Sequence, residues 1–127
     1  MPIFGIDKPP PADTPRFNDW LYRAFSLALP YRNTVTETTA ARTLAATDTY
    51  VICNYAGTVT LTLPDPATAI GRPITVKTWT ANTVVSASSN VVGPTGGAAG
   101  TAILSATAGK WADLISNGTT WNVMRNN

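Results

Sequence analysis

In the segment Thr58-Val59-Thr60-Leu61-Thr62-Leu63, threonine and aliphatic residues alternate without interruption. Successive side chains of a β-strand point to opposite faces, so the stretch predicts a strand with one apolar face and one uncharged polar face. Ile74-Thr75-Val76-Lys77 repeats the alternation. Threonine and valine are β-branched and favour extended backbone. From about residue 34 onward, the chain is therefore predicted to be mainly β.

Further candidate strands follow at short intervals, separated by turn residues. Asn117-Gly118 lies between two tryptophan-containing segments and predicts a hairpin, in which Trp111 and Trp121 are candidates to pair across the strands. Such spacing predicts short antiparallel strands that form a sandwich or a trimeric β-prism-like domain. The candidate strands are 49–54, 58–63, 74–77, 83–87, 101–106, 110–116 and 120–125.

The beginning of the chain has a different composition. Three consecutive prolines at positions 9–11 favour an extended arm. Thr14 is then predicted to cap a helix whose first residue is Pro15, and Pro30 is predicted to end it. Apolar residues recur at helical spacing on one face of this predicted helix, namely Phe17, Trp20, Leu21, Ala24, Phe25 and Ala28.

These differences predict two parts, an arm with an amphipathic helix over residues 1–33 and a β domain over residues 34–127. A lone helix of this length is marginally stable in water, so its apolar stripe needs a second surface. That surface is either the chain's own β domain or another subunit or larger assembly. The proline-rich spacer favours the second alternative.

Composition excludes several functions. The 127 residues include no His and one Cys, which excludes His-based catalysis, His-ligated zinc and an intrachain disulfide. A net charge of +2 without a basic run predicts no nucleic-acid partner. No apolar run is long enough for a transmembrane helix, and no signal peptide is visible. We expect synthesis in the cytoplasm, no cofactor, no metal and no membrane partner.

Candidate catalytic groups are sparse. Glu37 is the single Glu, and the Asp residues are scattered without a spacing that fixes two carboxylates together. A glycosidase-type pair assembled in three dimensions within the chain or between subunits remains an alternative. The glycine-rich stretch 93–100 lacks the Gly-Lys-Ser/Thr ending of a phosphate-binding loop and favours a turn-rich loop. Cys53 lies among apolar residues and is predicted to be a buried structural thiol. We predict that the chain is not an enzyme.

Aromatic and threonine residues supply the remaining candidates. Trp79, Trp111 and Trp121 serve either as stacking platforms for glycans or as core or interface residues. Thr58, Thr60 and Thr62 form an uncharged ladder in a chain with 21 threonines and only 13% charged residues. Monomeric domains place charges on exposed strands, which prevents strand pairing between molecules. The ladder therefore predicts an interface between copies of the chain, with a homotrimer as the expected oligomer.

Several segments together resemble a β module of bacteriophage virion proteins, found in tail fibres, head fibres and other small structural proteins. The resemblance rests on Val59–Asp65 with its Thr-Leu-Pro element, Gly71–Lys77, Asn82–Val84, and the final hairpin segments Gly109–Gly118 and Trp121–Val123. It covers residues 49–125. Arg16–Leu21 after a proline-rich start also resembles an attachment segment of podovirus-like structural proteins.

This resemblance implies a non-enzymatic virion component, homotrimeric and anchored through its N-terminal segment. It would serve as a short fibre, an adaptor or a capsid decoration (head-fibre) protein, located in the virion after synthesis in the host cytoplasm. Phe17, Trp20, Leu21 and Phe25 would contact capsid, portal or tail proteins. The alternative is a carbohydrate-binding module for host adsorption, a receptor-binding tail protein that uses the tryptophans. A lyase or hydrolase with an intersubunit site is the third reading.

Overall fold

The structure, a computed structural model, describes residues 33–127, which form ten β-strands and one short 3-10 helix at Pro66–Thr68. These residues belong to one compact unit. The predicted anchoring residues Phe17, Trp20, Leu21 and Phe25 lie outside the described residues. The strands are β1 (Asn33–Glu37), β2 (Ala41–Thr43), β3 (Asp48–Cys53), β4 (Val59–Thr62), β5 (Pro73–Thr78), β6 (Val84–Ser86), β7 (Val91–Val92), β8 (Ala102–Leu104), β9 (Trp111–Ser116) and β10 (Trp121–Asn126).

Two sheets make up this unit. A six-stranded sheet has the order β1-β3-β5-β9-β10-β7, and a four-stranded sheet has the order β2-β4-β6-β8. Through β6 the chain visits the two sheets in turn, so that it winds through three successive coils. Within each sheet the strands of successive coils pair in parallel, β1 with β3 and β5, and β2 with β4 and β6.

The mainly β fold class is confirmed, and the two mixed sheets are consistent with a sandwich. The expected antiparallel pairing applies to β5 with β9, β9 with β10 and β6 with β8. The other five pairings are parallel. Parallel neighbours require a crossover connection, and here strands of the opposite sheet supply it in place of the usual helix.

The core lies between the two sheets and is built from the apolar members of the alternating strands. Val59 and Leu61 of β4 are fully buried, whereas Thr60 and Thr62 face outward, as the alternation predicts. Ile74 and Val76 of β5 are also fully buried. Each of these fully buried valine, leucine or isoleucine side chains stabilises the unit by about 1.5–3 kcal/mol.

The predicted hairpin at Asn117-Gly118 is confirmed, because β9 and β10 pair antiparallel on either side of residues 117–120. The Asn117 side-chain oxygen accepts the backbone N–H groups of Thr119 and Thr120 at 2.9 and 2.8 Å. Gly118 has a φ of +94°, a conformation that side chains disfavour. The predicted pairing of Trp111 with Trp121 is wrong: Trp121 lies opposite Ser116, while Trp111 begins β9 at its far end.

Candidate interaction surfaces

The outer face of the four-stranded sheet carries only small or β-branched uncharged side chains. Arg42 is the one charged residue in these strands, and it lies opposite the buried Leu61, on the inner side. Parallel register aligns Ala41 with Thr60 and Thr43 with Thr62. We call this surface the threonine face; its members are Ala41, Thr43, Thr60, Thr62, Val85 and Ala102.

Of the three predicted interface threonines, Thr60 and Thr62 belong to this surface and Thr58 lies at its edge. Thr62 is exposed, Thr60 is half-buried, and Thr58 is exposed immediately before β4. None of the three side chains donates a hydrogen bond to another described residue. A flat strand surface without charges is one that a second sheet can cover without desolvating an ion. The geometry is therefore compatible with the predicted contact between copies.

The outer face of the six-stranded sheet is different in character. A groove of about 220 Å³ crosses it, lined by the apolar side chains of Tyr50, Pro73, Ile115 and Met124. Polar groups form one wall: the Thr75 hydroxyl donates to Asp113 Oδ1 at 2.7 Å, and Arg125 Nη2 donates to Asp113 Oδ2 at 2.9 Å. Met124 is 61% exposed, so this face combines accessible apolar surface with an ion pair.

The three candidate stacking tryptophans occupy different environments. Trp79 directly follows β5 and is 64% exposed, and Trp111 is half-buried at the start of β9. Trp121 is fully buried in the core, and its indole N–H donates to the Pro64 carbonyl at 2.9 Å. The prediction of glycan stacking by Trp121 is therefore wrong, because no ligand reaches its ring. The structure leaves Trp79 and Trp111 as candidates.

A charged cluster connects the first coil to the second. Arg42 lies between two buried carboxylates, with Nη2 3.2 Å from Asp48 Oδ2 and Nη1 3.6 Å from Glu37 Oε2. Asp48 also accepts from the Asn33 side chain and the Ala45 backbone at 3.1 and 2.9 Å. Sequence spacing did not indicate this cluster, because Arg42 of β2 joins carboxylates that lie at opposite ends of the β1–β3 pair.

Hydrogen bonding keeps both carboxylates of the cluster ionised. The hydroxyl and backbone N–H of Thr39 donate to Glu37, and together with Arg42 they outweigh burial and lower the pKa of Glu37. For Asp48, burial raises the pKa, but donation from Ala45, Asn33 and Arg42 outweighs it, so the pKa lies below its ordinary value. Every cluster carboxylate oxygen has a partner, which indicates a structural role.

Cys53 is fully buried in β3, as predicted from its apolar surroundings. Burial, with a contribution from the negative charge of Glu37, raises the pKa of its thiol to about 12. The thiolate is the reactive form of cysteine, so this side chain is chemically inert in the folded domain.

The part of the chain from Asn33 to Asn127 contains no group of three or more His, Cys, Asp or Glu side chains placed to hold a metal ion. It also contains no helix with the length and hydrophobicity needed to span a membrane.

No protein-family model matches the sequence, and no curated protein matches it.

Proposed function

We propose that the chain is a non-enzymatic structural protein of a bacteriophage virion, in which copies associate, as a homotrimer, through the threonine face. The observation that carries the proposal is the absence of charge on the outer side of the four-stranded sheet, whose strands contain one charged residue that points inward. The virion assignment rests on the sequence resemblance, which spans residues 49–125 of this β domain.

Self-association explains why this face is uncharged. Charged side chains on exposed strands act against pairing between molecules, and this sheet presents threonine, alanine and valine instead. Covering such a face removes apolar methyl groups from water at about 25 cal/mol per Å² while leaving hydroxyl groups able to hydrogen-bond across the contact. A β domain of this size also gains stability by burying additional surface between copies.

The mass of the full chain in solution tests the association. One chain has a mass of 13.4 kDa, so a trimer has a mass of about 40 kDa by light scattering or sedimentation. The double substitution Thr60→Lys and Thr62→Lys is expected to shift this mass to that of the monomer, because each lysine would have to lose its hydration in the contact.

The matched control places the same two charges on exposed loop threonines, Thr95→Lys and Thr119→Lys, and is expected to keep the trimer. A monomeric wild-type chain, or an unchanged trimer in the Thr60/Thr62 variant, would contradict the proposed interface.

The virion assignment needs its own assay. Particles of the phage that encodes the chain are purified, and the chain is sought by mass spectrometry. A variant lacking residues 1–29 is expected to remain oligomeric but to be missing from particles, since the predicted apolar stripe would be gone. Particles without the full-length chain would contradict the virion role, and normal incorporation of the shortened chain would contradict the anchoring role.

A second candidate function is carbohydrate binding during adsorption to the host. The observation that favours it is Trp79, whose ring is 64% exposed on the domain surface. Tryptophan is enriched where ligands and partners bind. This candidate is compatible with a virion protein, because a surface component can both assemble with copies and contact the host.

A further inference from the structure

Two tryptophans and one lysine lie at one end of β5 in the six-stranded sheet. Trp111 lies directly opposite Lys77 in the register of β5 and β9. Trp79 lies just beyond the last residue of β5, its N–H donates to the Cys53 carbonyl of the neighbouring strand β3, and its side chain is 64% exposed. Trp79 and Trp111 directly follow Thr78 and Lys110, which are hydrogen-bonded to each other, so the two tryptophans lie at the same end of the sheet. We call Trp79, Lys77 and Trp111 the tryptophan platform.

The backbone beneath the platform is held from several sides. The Trp79 N–H donates to the Cys53 carbonyl at 2.8 Å, and the Trp111 N–H donates to Asn127 Oδ1 at 2.8 Å. Between them, the Thr78 N–H donates to the Lys110 carbonyl and the Thr78 carbonyl accepts from Gly109, at 2.8 and 2.9 Å. A ligand would meet a preformed surface, so binding avoids the entropic cost of ordering this backbone.

The polar groups of the platform have no partners within residues 33–127. Neither indole N–H of Trp79 or Trp111 donates to a described residue, in contrast to the Trp121 indole. The Lys77 ammonium likewise forms no ion pair there, whereas Arg42 and Arg125 do. The platform therefore offers two ring faces, two hydrogen-bond donors and one positive charge.

These groups fit a ligand with apolar C–H faces, oxygen acceptors and a negative charge. Sugar rings stack on aromatic faces through their C–H groups, and a carboxylate on the sugar would pair with Lys77. Single-stranded nucleic acid also stacks on aromatic rings, but it requires a cationic groove that follows successive phosphates, and this platform has a single lysine. We infer that the tryptophan platform binds an acidic carbohydrate of the uronic-acid class. This inference rests on the carbohydrate-binding candidate and is independent of the virion assignment.

The test measures binding of defined oligosaccharides to the full-length chain by titration calorimetry. The acidic probes are galacturonate and hyaluronan hexasaccharides, and the neutral probe is maltohexaose. We expect the acidic probes to bind more tightly than the neutral probe, with an advantage that decreases as salt is raised.

Two variants locate the site. Trp79→Ala is expected to weaken binding of the acidic probes at least tenfold, and Lys77→Gln about two- to fivefold, the range of an exposed ion pair. Arg125→Gln removes a positive charge from the same sheet face at a position already paired with Asp113, and is expected to leave binding unchanged. Circular dichroism of each variant confirms that the domain is folded.

Each alternative outcome is distinct. Equal, Trp79-dependent binding of neutral and acidic probes would overturn the acidic specificity and leave the carbohydrate-binding candidate in place. No binding of any probe would overturn both. Tighter binding of a twelve-nucleotide oligo(dT), with the same loss in Trp79→Ala, would overturn the assignment to carbohydrate. Equal losses of binding affinity in Lys77→Gln and Arg125→Gln would show that the acidic probes respond to positive charge in general, and would overturn the assignment of the site to the tryptophan platform.

Discussion

Replacing Arg42 by methionine tests whether the buried charged cluster holds the first coil in place. The substitution removes the guanidinium and keeps much of the aliphatic stem. It leaves two carboxylates without their cation, and their side chains are nearly inaccessible, 1% exposed for Asp48 and 8% for Glu37. The expected result is a large loss in the free energy of unfolding.

The size of the loss follows from the surroundings of the three side chains. Removing one partner of a buried ion pair costs about 3–5 kcal/mol. The Arg42 side chain is 31% exposed, so water screens part of the interaction. Each carboxylate also keeps other hydrogen-bond donors, from Thr39 or from Ala45 and Asn33. Moreover, Arg42 Nε is buried without a partner, and its removal offsets part of the cost. We therefore expect a loss of about 2–4 kcal/mol.

The chain contains a matched control for this substitution. Arg125 pairs with Asp113 at 2.9 Å, but its side chain is 77% exposed, so Arg125→Met is expected to cost about 0–1 kcal/mol. Both variants are compared with wild type by urea unfolding at one fixed protein concentration, because association shifts apparent stability. If Arg42→Met and Arg125→Met lower the free energy of unfolding by amounts that agree within about 0.5 kcal/mol, burial does not set the cost of removing the arginine.

Two further predictions concern titratable groups. Because the folded chain holds the pKa values of Glu37 and Asp48 below the ordinary 4.5 and 3.8, the unfolded chain takes up protons first as pH falls. The free energy of unfolding should therefore be maintained at pH above these ordinary pKa values and decrease as pH drops through and below them. In urea titrations between about pH 3 and 7, Asp48→Asn should make that decrease smaller. Cys53, with its pKa raised to about 12, should react with a thiol-specific disulfide reagent near pH 8 only after the chain is unfolded in urea. Rapid labelling of the folded chain would contradict its burial.

Most of the fold could be predicted from two local sequence patterns, the alternation of apolar and polar residues and the residues typical of turns. The Thr58–Leu63 pattern contains β4, the Ile74–Lys77 pattern lies within β5, and Asn117-Gly118 lies in the loop of a hairpin. These signals are local, because they depend on period-two burial and on a residue that tolerates positive φ. Strand β7 has only two residues, too few to show any period.

Pairing direction and the charged cluster had no comparable local signal. Alternation is the same for parallel and antiparallel strands, so it predicts a strand without choosing its neighbours. Glu37 and Arg42 make β1 and β2 look like polar connections in the sequence. Their charges are accommodated because Thr39 donates to Glu37 locally and because the coil brings Asp48 to Arg42. Trp121 was equally ambiguous, because its burial and the hydrogen bond from its indole to the Pro64 carbonyl depend on residues distant in the sequence.

Coil geometry also explains why the two outer faces differ so sharply. Parallel register places residues from successive coils side by side, so each face draws its composition from positions far apart in the sequence. On the four-stranded sheet this alignment collects Ala41, Thr60 and Val85 into an uncharged row, which suits contact with another copy. On the six-stranded sheet the parallel pairing of β3 with β5 and the antiparallel pairing of β5 with β9 place Ile52, Lys77 and Trp111 in one row, with a charge beside an aromatic ring. Because the rows belong to different sheets, a lysine on the threonine face should leave the tryptophan platform intact, so association and ligand binding are separable by substitution.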